Sequence, residues 1–226
     1  MPYCKKPILH IDLETYSSVD LAECGAYKSA ESEDFEILLF GYAFDDGPVK
    51  VIEHPTPETL YYIGFVKFLM DPRITKVAHN AAFERTCLSA YLRKLPQTII
   101  NTYRSPDARE PLDFLPPEQW QDTMIMAAEL GYPNSLAQLG NALGLPEDKK
   151  KMAAGKRLIQ YFCKPCKPTI SNHGRTRNTA TDAPEKWETF VEYNRQDVVT
   201  EKFIFERLDR ICPVPDQEWK NWHVDQ

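Results

Sequence analysis

Apolar positions along the chain fall into short dense runs separated by polar or proline-rich stretches, and each run predicts an element. In the first run, Ile8, Leu9, Ile11 and Leu13 read as a buried strand, with Pro7 tolerated at its start. Residues 15–34 are polar and read as irregular. Runs over 36–44 and 49–52 flank the turn Asp45-Asp46-Gly47-Pro48, so the first three strands should form an antiparallel meander. Thr56 and Pro57 open a helix whose apolar positions continue through Leu69 to a stop at Asp71-Pro72. A fourth strand over 74–80 runs straight into a helix over 81–92, with Asn80 at its N-cap. Residues 98–119 read as loop, 120–124 as a short strand, and 124–131 as a helix, with Asn134-Ser135 capping another. A short helix is expected around 149–162, then loop chemistry, then a long final helix from Asp182 and Pro184 to about residue 210. This order predicts an α/β fold with a mixed central sheet, its first three strands antiparallel, flanked by helices.

The length of 226 residues suits one sizeable core. No apolar run approaches membrane-spanning length, so no membrane partner is expected. The first ten residues lack a signal-type apolar segment, and six scattered cysteines in a chain this long do not read as a disulfide framework. Both point to the reducing cytoplasm. Net charge is −6, which by itself argues against a nucleic-acid partner. The charge is unevenly spread, however. Residues 149–177 hold nine basic side chains and no acidic one, which leaves 18 basic against 33 acidic residues elsewhere. A basic segment on an acidic body could track a phosphate backbone while an acidic pocket holds cations.

Three features carry chemistry. Asp12 and Glu14 alternate with apolar neighbours and so emerge on one face of the first strand. Two carboxylates that close repel unless a proton or cation lies between them. Glu84 stands in the first turn of the helix over 81–92, where the helix dipole favours an acid. Tyr193 and Asp197 lie four apart on the final helix, hence on one face, and the helix's apolar side could turn that face toward the strand acids. Four carboxylates suit hard divalent cations, magnesium or manganese, rather than zinc, and could bind two of them around a phosphoryl transfer. No glycine-rich phosphate loop is present to support nucleoside triphosphate hydrolysis. Cys163-x-x-Cys166 has only His173 nearby, too few ligands for zinc, so a packing or loop role is expected. His10 reads as a core residue, and His79 as the partner in a structural hydrogen bond.

The ordered set Asp12-x-Glu14, Asn80-x-x-Phe83-Glu84 and Tyr193-x-x-x-Asp197 resembles the three motifs of the DEDDy branch of the DnaQ-like, RNase H-fold 3′–5′ exonucleases. The likeness extends to Asp122-Thr123-Met124 and Ser135-Leu136-Ala137, and is greatest with the proofreading domain of phage and prophage family-A DNA polymerases. That resemblance implies an exonuclease releasing nucleoside 5′-monophosphates from the 3′ end of single-stranded DNA with two divalent metal ions. Asp12, Glu14 and Asp197 would hold the first metal, Asp12 and Glu84 the second, and Tyr193 would orient the attacking water. Thr15, Tyr16, Asn80 and Phe83 match positions lining the terminal nucleotide's pocket. The family's second motif usually ends in Asp, where this chain has Glu84, which bears on second-metal geometry and rate. Lys164, Lys167, Arg175 and Arg177 are expected to guide the single strand. The resemblance covers residues 1–212. Residues 213–226, with Trp219 and Trp222, read as an extension leading toward a polymerase domain. Two alternatives stand beside this reading: an exoribonuclease of the RNase D or oligoribonuclease type, and a catalytically weak DNA-binding or scaffolding domain.

Overall fold

The structure, a computed structural model, describes residues 6–103, 114–152 and 155–211. The extension at 213–226, including Trp219 and Trp222, lies outside them. Five strands form one mixed sheet in the order β3-β2-β1-β4-β5. At its centre β1 (Ile8–Tyr16) runs antiparallel to β2 (Glu36–Phe44) and parallel to β4 (Thr75–Ala78). The edges are β3 (Lys50–Glu53), antiparallel to β2, and β5 (Trp120–Asp122), parallel to β4. The antiparallel meander and mixed sheet therefore form as the hydrophobic pattern predicts.

Both faces of β1 are covered, and they differ in kind. Leu9, Ile11 and Leu13 point into the larger core beneath α2 (Pro57–Tyr62), α3 (Phe65–Met70), α4 (Ala81–Leu92) and α5 (Gln97–Tyr103). The opposite face carries Ile8 and Tyr16 into two smaller cores. These lie under α6 (Thr123–Glu129), α7 (Leu136–Ala142), α8 (Gly155–Phe162) and the 28-residue α9 (Pro184–Ile211). Between Ile8 and Tyr16 that face bears His10, Asp12 and Glu14, a polar row that α9 must cover. No described helix is long and apolar enough to cross a membrane.

Four expectations are corrected. Residues 15–34 contain α1 (Leu21–Ala30), held at its start by the Asp20 carboxylate, which accepts from the amides of Ala22 and Glu23. Its apolar residues form no single stripe, and Gly25 at φ 80° interrupts it, so periodicity carries little signal. The helix expected after Thr56 is two helices, because Gly64 takes a left-handed conformation at φ 76° between them. The stretch expected as loop contains α5, while 104–113 lies outside the described residues. The helix expected around 149–162 begins only at Gly155, with a single 3₁₀ turn at Glu147–Lys149 before it.

Candidate active site

The site forms where the polar row of β1 meets α9. Residues three and four apart on α9 share a face, so Tyr193, Asn194, Asp197 and Glu201 all turn inward, and all four are buried. The sequence signals an apolar side of α9 packing on the sheet, yet this polar face is buried as well. Each inward group has a matching partner. His10 Nδ1 lies 2.6 Å from Glu201 Oε2. The Asn194 side-chain amide donates to Asp12 Oδ2 at 2.7 Å and to the Asp12 carbonyl at 3.2 Å. Directly across the sheet from Asp12 stands Gly41. A Cβ at that position would come within 2.5 Å of Asn194 Oδ1 and 2.9 Å of Val198 Cγ2, so only glycine lets α9 approach. A bulge between β1 and β2, where Glu14 pairs with Leu39 and Thr15 with Ile37, lies beside the acids.

With the helix so placed, carboxylate oxygens of Asp12, Glu14 and Asp197 lie within 4.8 Å of one another. Glu84 lies outside this triad but lines the same cavity, is 4% exposed, and has one buried oxygen, Oε2, without a hydrogen-bond partner. Its helix is not started as the sequence suggests. Asn80 occupies the N-cap position in a left-handed conformation at φ 72° and its side chain caps nothing. Instead the Asp122 carboxylate, from the end of β5, accepts from the amides of Asn80 and Ala81 at 2.9 Å each and of Met124 at 2.8 Å. This aims the first turn of α4, and with it Glu84, toward β1.

Burial raises the pKa of all four acids, and repulsion from neighbouring acids adds to it for Asp12, Glu14 and Glu84. Asp12 is pushed up to about 8 by burial and then by the Asp197 charge, and Glu14 is raised by burial and then by Asp12. Glu84 follows the same pattern, with Asp12 its principal neighbour. Asp197 rises less freely, because Lys151 offsets its burial; the Lys151 ammonium lies 2.5 Å from Asp197 Oδ2. Burial, and then Asp197, hold the Tyr193 phenol well above its ordinary value. Its ring stacks on Phe190, and Gly155 makes room for it: a Cβ at 155 would fall 2.0 Å from Tyr193 Cε2.

A cavity of about 660 Å³ opens over the acids. Thr15, Asn80, Phe83, Tyr193 and Lys164 line it, so three of the four residues expected to hold a nucleotide are at its wall. Tyr16 is not: it is buried, with the Arg177 guanidinium stacked 3.9 Å from its ring centre. Of the expected strand-guiding cations, three are already paired. Lys164 meets Asp20 at 3.0 Å, Arg177 meets Glu36 at 2.5 Å, and Arg175 pairs with Asp182. Lys167 is exposed and away from the cavity wall. Cys163 donates its thiol to Glu14 Oε2 at 3.7 Å, while Cys166 bonds within its own loop, to the Arg175 carbonyl. Both His79 nitrogens are engaged, with Thr123 Oγ1 at 3.0 Å and the Asn134 carbonyl at 2.7 Å.

Sequence reasoning missed Asn194, Gly41, Gly155 and the placement of Lys151 among the acids. Asn194 adjoins Tyr193 and falls on the same helical face, which is a usable signal; nothing local marks the two glycines.

The acids' spacing, their unpartnered oxygens and their all-oxygen chemistry fit hard divalent cations. The chain resembles a phage DNA polymerase. It is 42% identical over 218 residues to a DNA polymerase of Bacillus phage SP02, a match covering 96% of this chain and 30% of that protein. The chain thus spans less than a third of this relative's length. Among solved structures, a nuclease in its apo form matches with a TM-score of 0.53 and 13% identity, over 96% of this chain and 79% of that one. At that identity the likeness shows fold, and with the sheet order it bears out the RNase H-like α/β class. No protein-family model matches the chain.

Proposed function

We propose that this chain is the 3′–5′ exonuclease module of a phage-type DNA polymerase, removing nucleoside 5′-monophosphates one at a time from single-stranded DNA ends. The observation that carries this reading is the meeting of Asp12, Glu14 and Asp197 within 4.8 Å, from opposite ends of the chain, in a cavity that also receives Glu84. The phage polymerase relative supports DNA as substrate and a proofreading role beside a polymerase domain.

Asp12, Glu14 and Asp197 would hold one divalent cation, magnesium or manganese, and Asp12 with Glu84 a second. Such cations supply Lewis-acid stabilisation of the charge that builds on phosphate during hydrolysis. The chain's own groups do the rest. Tyr193 keeps its proton at neutral pH, because burial and Asp197 hold it there, so it orients the attacking water through its hydroxyl rather than acting as a base. The Asn194 amide fixes one Asp12 oxygen and leaves the other free for a ligand. Phe83 offers a face for the terminal base, and Thr15 and Asn80 offer polar groups to its sugar and phosphate. The cavity's size lies within the ordinary range for small-ligand sites.

The test is a time course on 5′-labelled single-stranded DNA and RNA with manganese, comparing wild type with Asp12→Ala. A ladder of DNA shortened from the 3′ end, lost in the variant, is expected. Shortening of RNA alone would transfer the site to an exoribonuclease. Binding without shortening of either would leave a scaffolding domain.

A further inference from the structure

Lys151 stands among the acids, and no motif accounts for it. Its ammonium lies 2.5 Å from Asp197 Oδ2 and 4.8 Å from the centre of the Tyr193 ring, at the wall of the cavity. Its placement is built rather than incidental. The Gln196 side-chain amide, one residue before Asp197, donates to the carbonyls of Asp148 and Lys150 at 3.0 Å each, which clamps the segment leading to Lys151 against α9. Asp197 is 3% exposed, and its other oxygen has no hydrogen-bond partner. The lysine's positive charge also reaches Asp12 and Glu14 and favours their ionised forms.

We propose that Lys151 is a built-in counter-ion that occupies the acid cluster until a divalent cation displaces it from Asp197, and that it thereby sets the metal affinity of the site. The inference rests on reading the cluster as a divalent-metal centre. A divalent cation held by Asp197 would stand close to the Lys151 ammonium on the same carboxylate, and two like charges that close repel. Metal binding therefore works against the lysine's charge, and the free energy of that coupling is subtracted from the metal's own. In return, the lysine balances the buried Asp197 carboxylate before metal arrives.

The test measures Mn²⁺ binding to the full chain by calorimetry or by electron paramagnetic resonance of free Mn²⁺, for wild type, Lys151→Met, Lys151→Arg and Asp12→Asn. Thermal melts of each are recorded in EDTA and in Mn²⁺. Lys151→Met should bind Mn²⁺ about 5- to 150-fold more tightly, the range of ordinary coupling between two ligands of one site. It should melt lower than wild type in EDTA and gain more than wild type from Mn²⁺. Lys151→Arg keeps the charge and should keep the weaker affinity. Unchanged or weaker Mn²⁺ binding by Lys151→Met, or equal tightening in Lys151→Arg, would overturn the counter-ion role. If Lys151→Met folds only with Mn²⁺ present, that is the extreme form of the expected result. A different failure is separable: should wild type and Asp12→Asn bind Mn²⁺ alike, the metal-centre reading itself is lost.

Discussion

Gly155→Ala tests whether the start of α8 holds the Tyr193 ring in its working position. The new methyl carbon would lie 2.0 Å from Cε2, 2.4 Å from Cζ and 2.8 Å from Cδ2 of that ring. Carbon atoms in contact settle at about 3.5–4.0 Å, so ring or helix must yield by roughly 1.5 Å. The ring has little room to retreat: it is 1% exposed and stacked nearly parallel on Phe190, at 8° between planes. Overpacking of this kind costs about 1–3 kcal/mol. In a chain of 226 residues each kcal/mol moves Tm by about 2–4 °C, so a fall of about 2–12 °C is expected. Moving the phenol that far should cut exonuclease turnover by about 10²-fold. Melting temperatures and single-strand turnover are to be measured for wild type, Gly155→Ala, Tyr193→Ala and the double variant. Where Tyr193 is already alanine the methyl meets no ring, so the added cost of Gly155→Ala should vanish. The same loss of Tm in both backgrounds, or none in either, would refute the reasoning.

Three further outcomes are expected. Asp12 is raised by burial, then by Asp197, from 3.8 to about 8, so between those values the folded chain keeps a proton that the unfolded chain releases. Stability in EDTA should therefore fall as pH rises through that window, with a shallower slope in Asp12→Asn; a wild-type Tm that holds or rises instead counts against the buried acid cluster. Lys76 has no exposed surface, and burial lowers it to about 7, against 10.5 when free. There the unfolded chain holds the extra proton, so wild type should gain stability relative to Lys76→Met as pH climbs from about 7 to about 10, and parallel melting curves would contradict this. Phe83→Ala should raise KM for a single-stranded oligonucleotide about 5- to 150-fold, the equivalent of 1–3 kcal/mol of base stacking, and an unchanged KM removes Phe83 from the nucleotide pocket.

What could be read from the sequence divides along a physical line. Strands β1 and β2 announce themselves as dense apolar runs, and helix α9 by the apolar side it packs on the sheet. Asp12 and Glu14, and likewise Tyr193 and Asp197, are legible because strand and helix geometry put each pair on one face. The cap of α4 is not, since the group that performs it, Asp122, comes from another strand, 42 positions past Asn80. Helix α1 hides because Asp20 and local hydrogen bonds, rather than an apolar stripe, define it. The basic stretch shows the same limit. Composition reveals its charge, while the acids that engage Lys164 and Arg177 lie 144 and 141 positions away. Gly41 and Gly155 carry no local mark at all, because what makes each of them necessary is how near another element passes.

The distance along the chain between the two halves of the site also fixes when it can first exist. Asn194 reaches back 182 positions to Asp12, and Glu201 reaches back 191 to His10. At about 5–20 residues per second of synthesis, roughly 10–35 s separate the emergence of the strand acids from that of the helix that closes on them. Late in that interval a ribosome-bound chain carries Asp12, Glu14 and Glu84 without the tyrosine, asparagine and final carboxylate. On the proposed reading, any capacity to cut is withheld from chains that end before α9, and arrives when α9 docks.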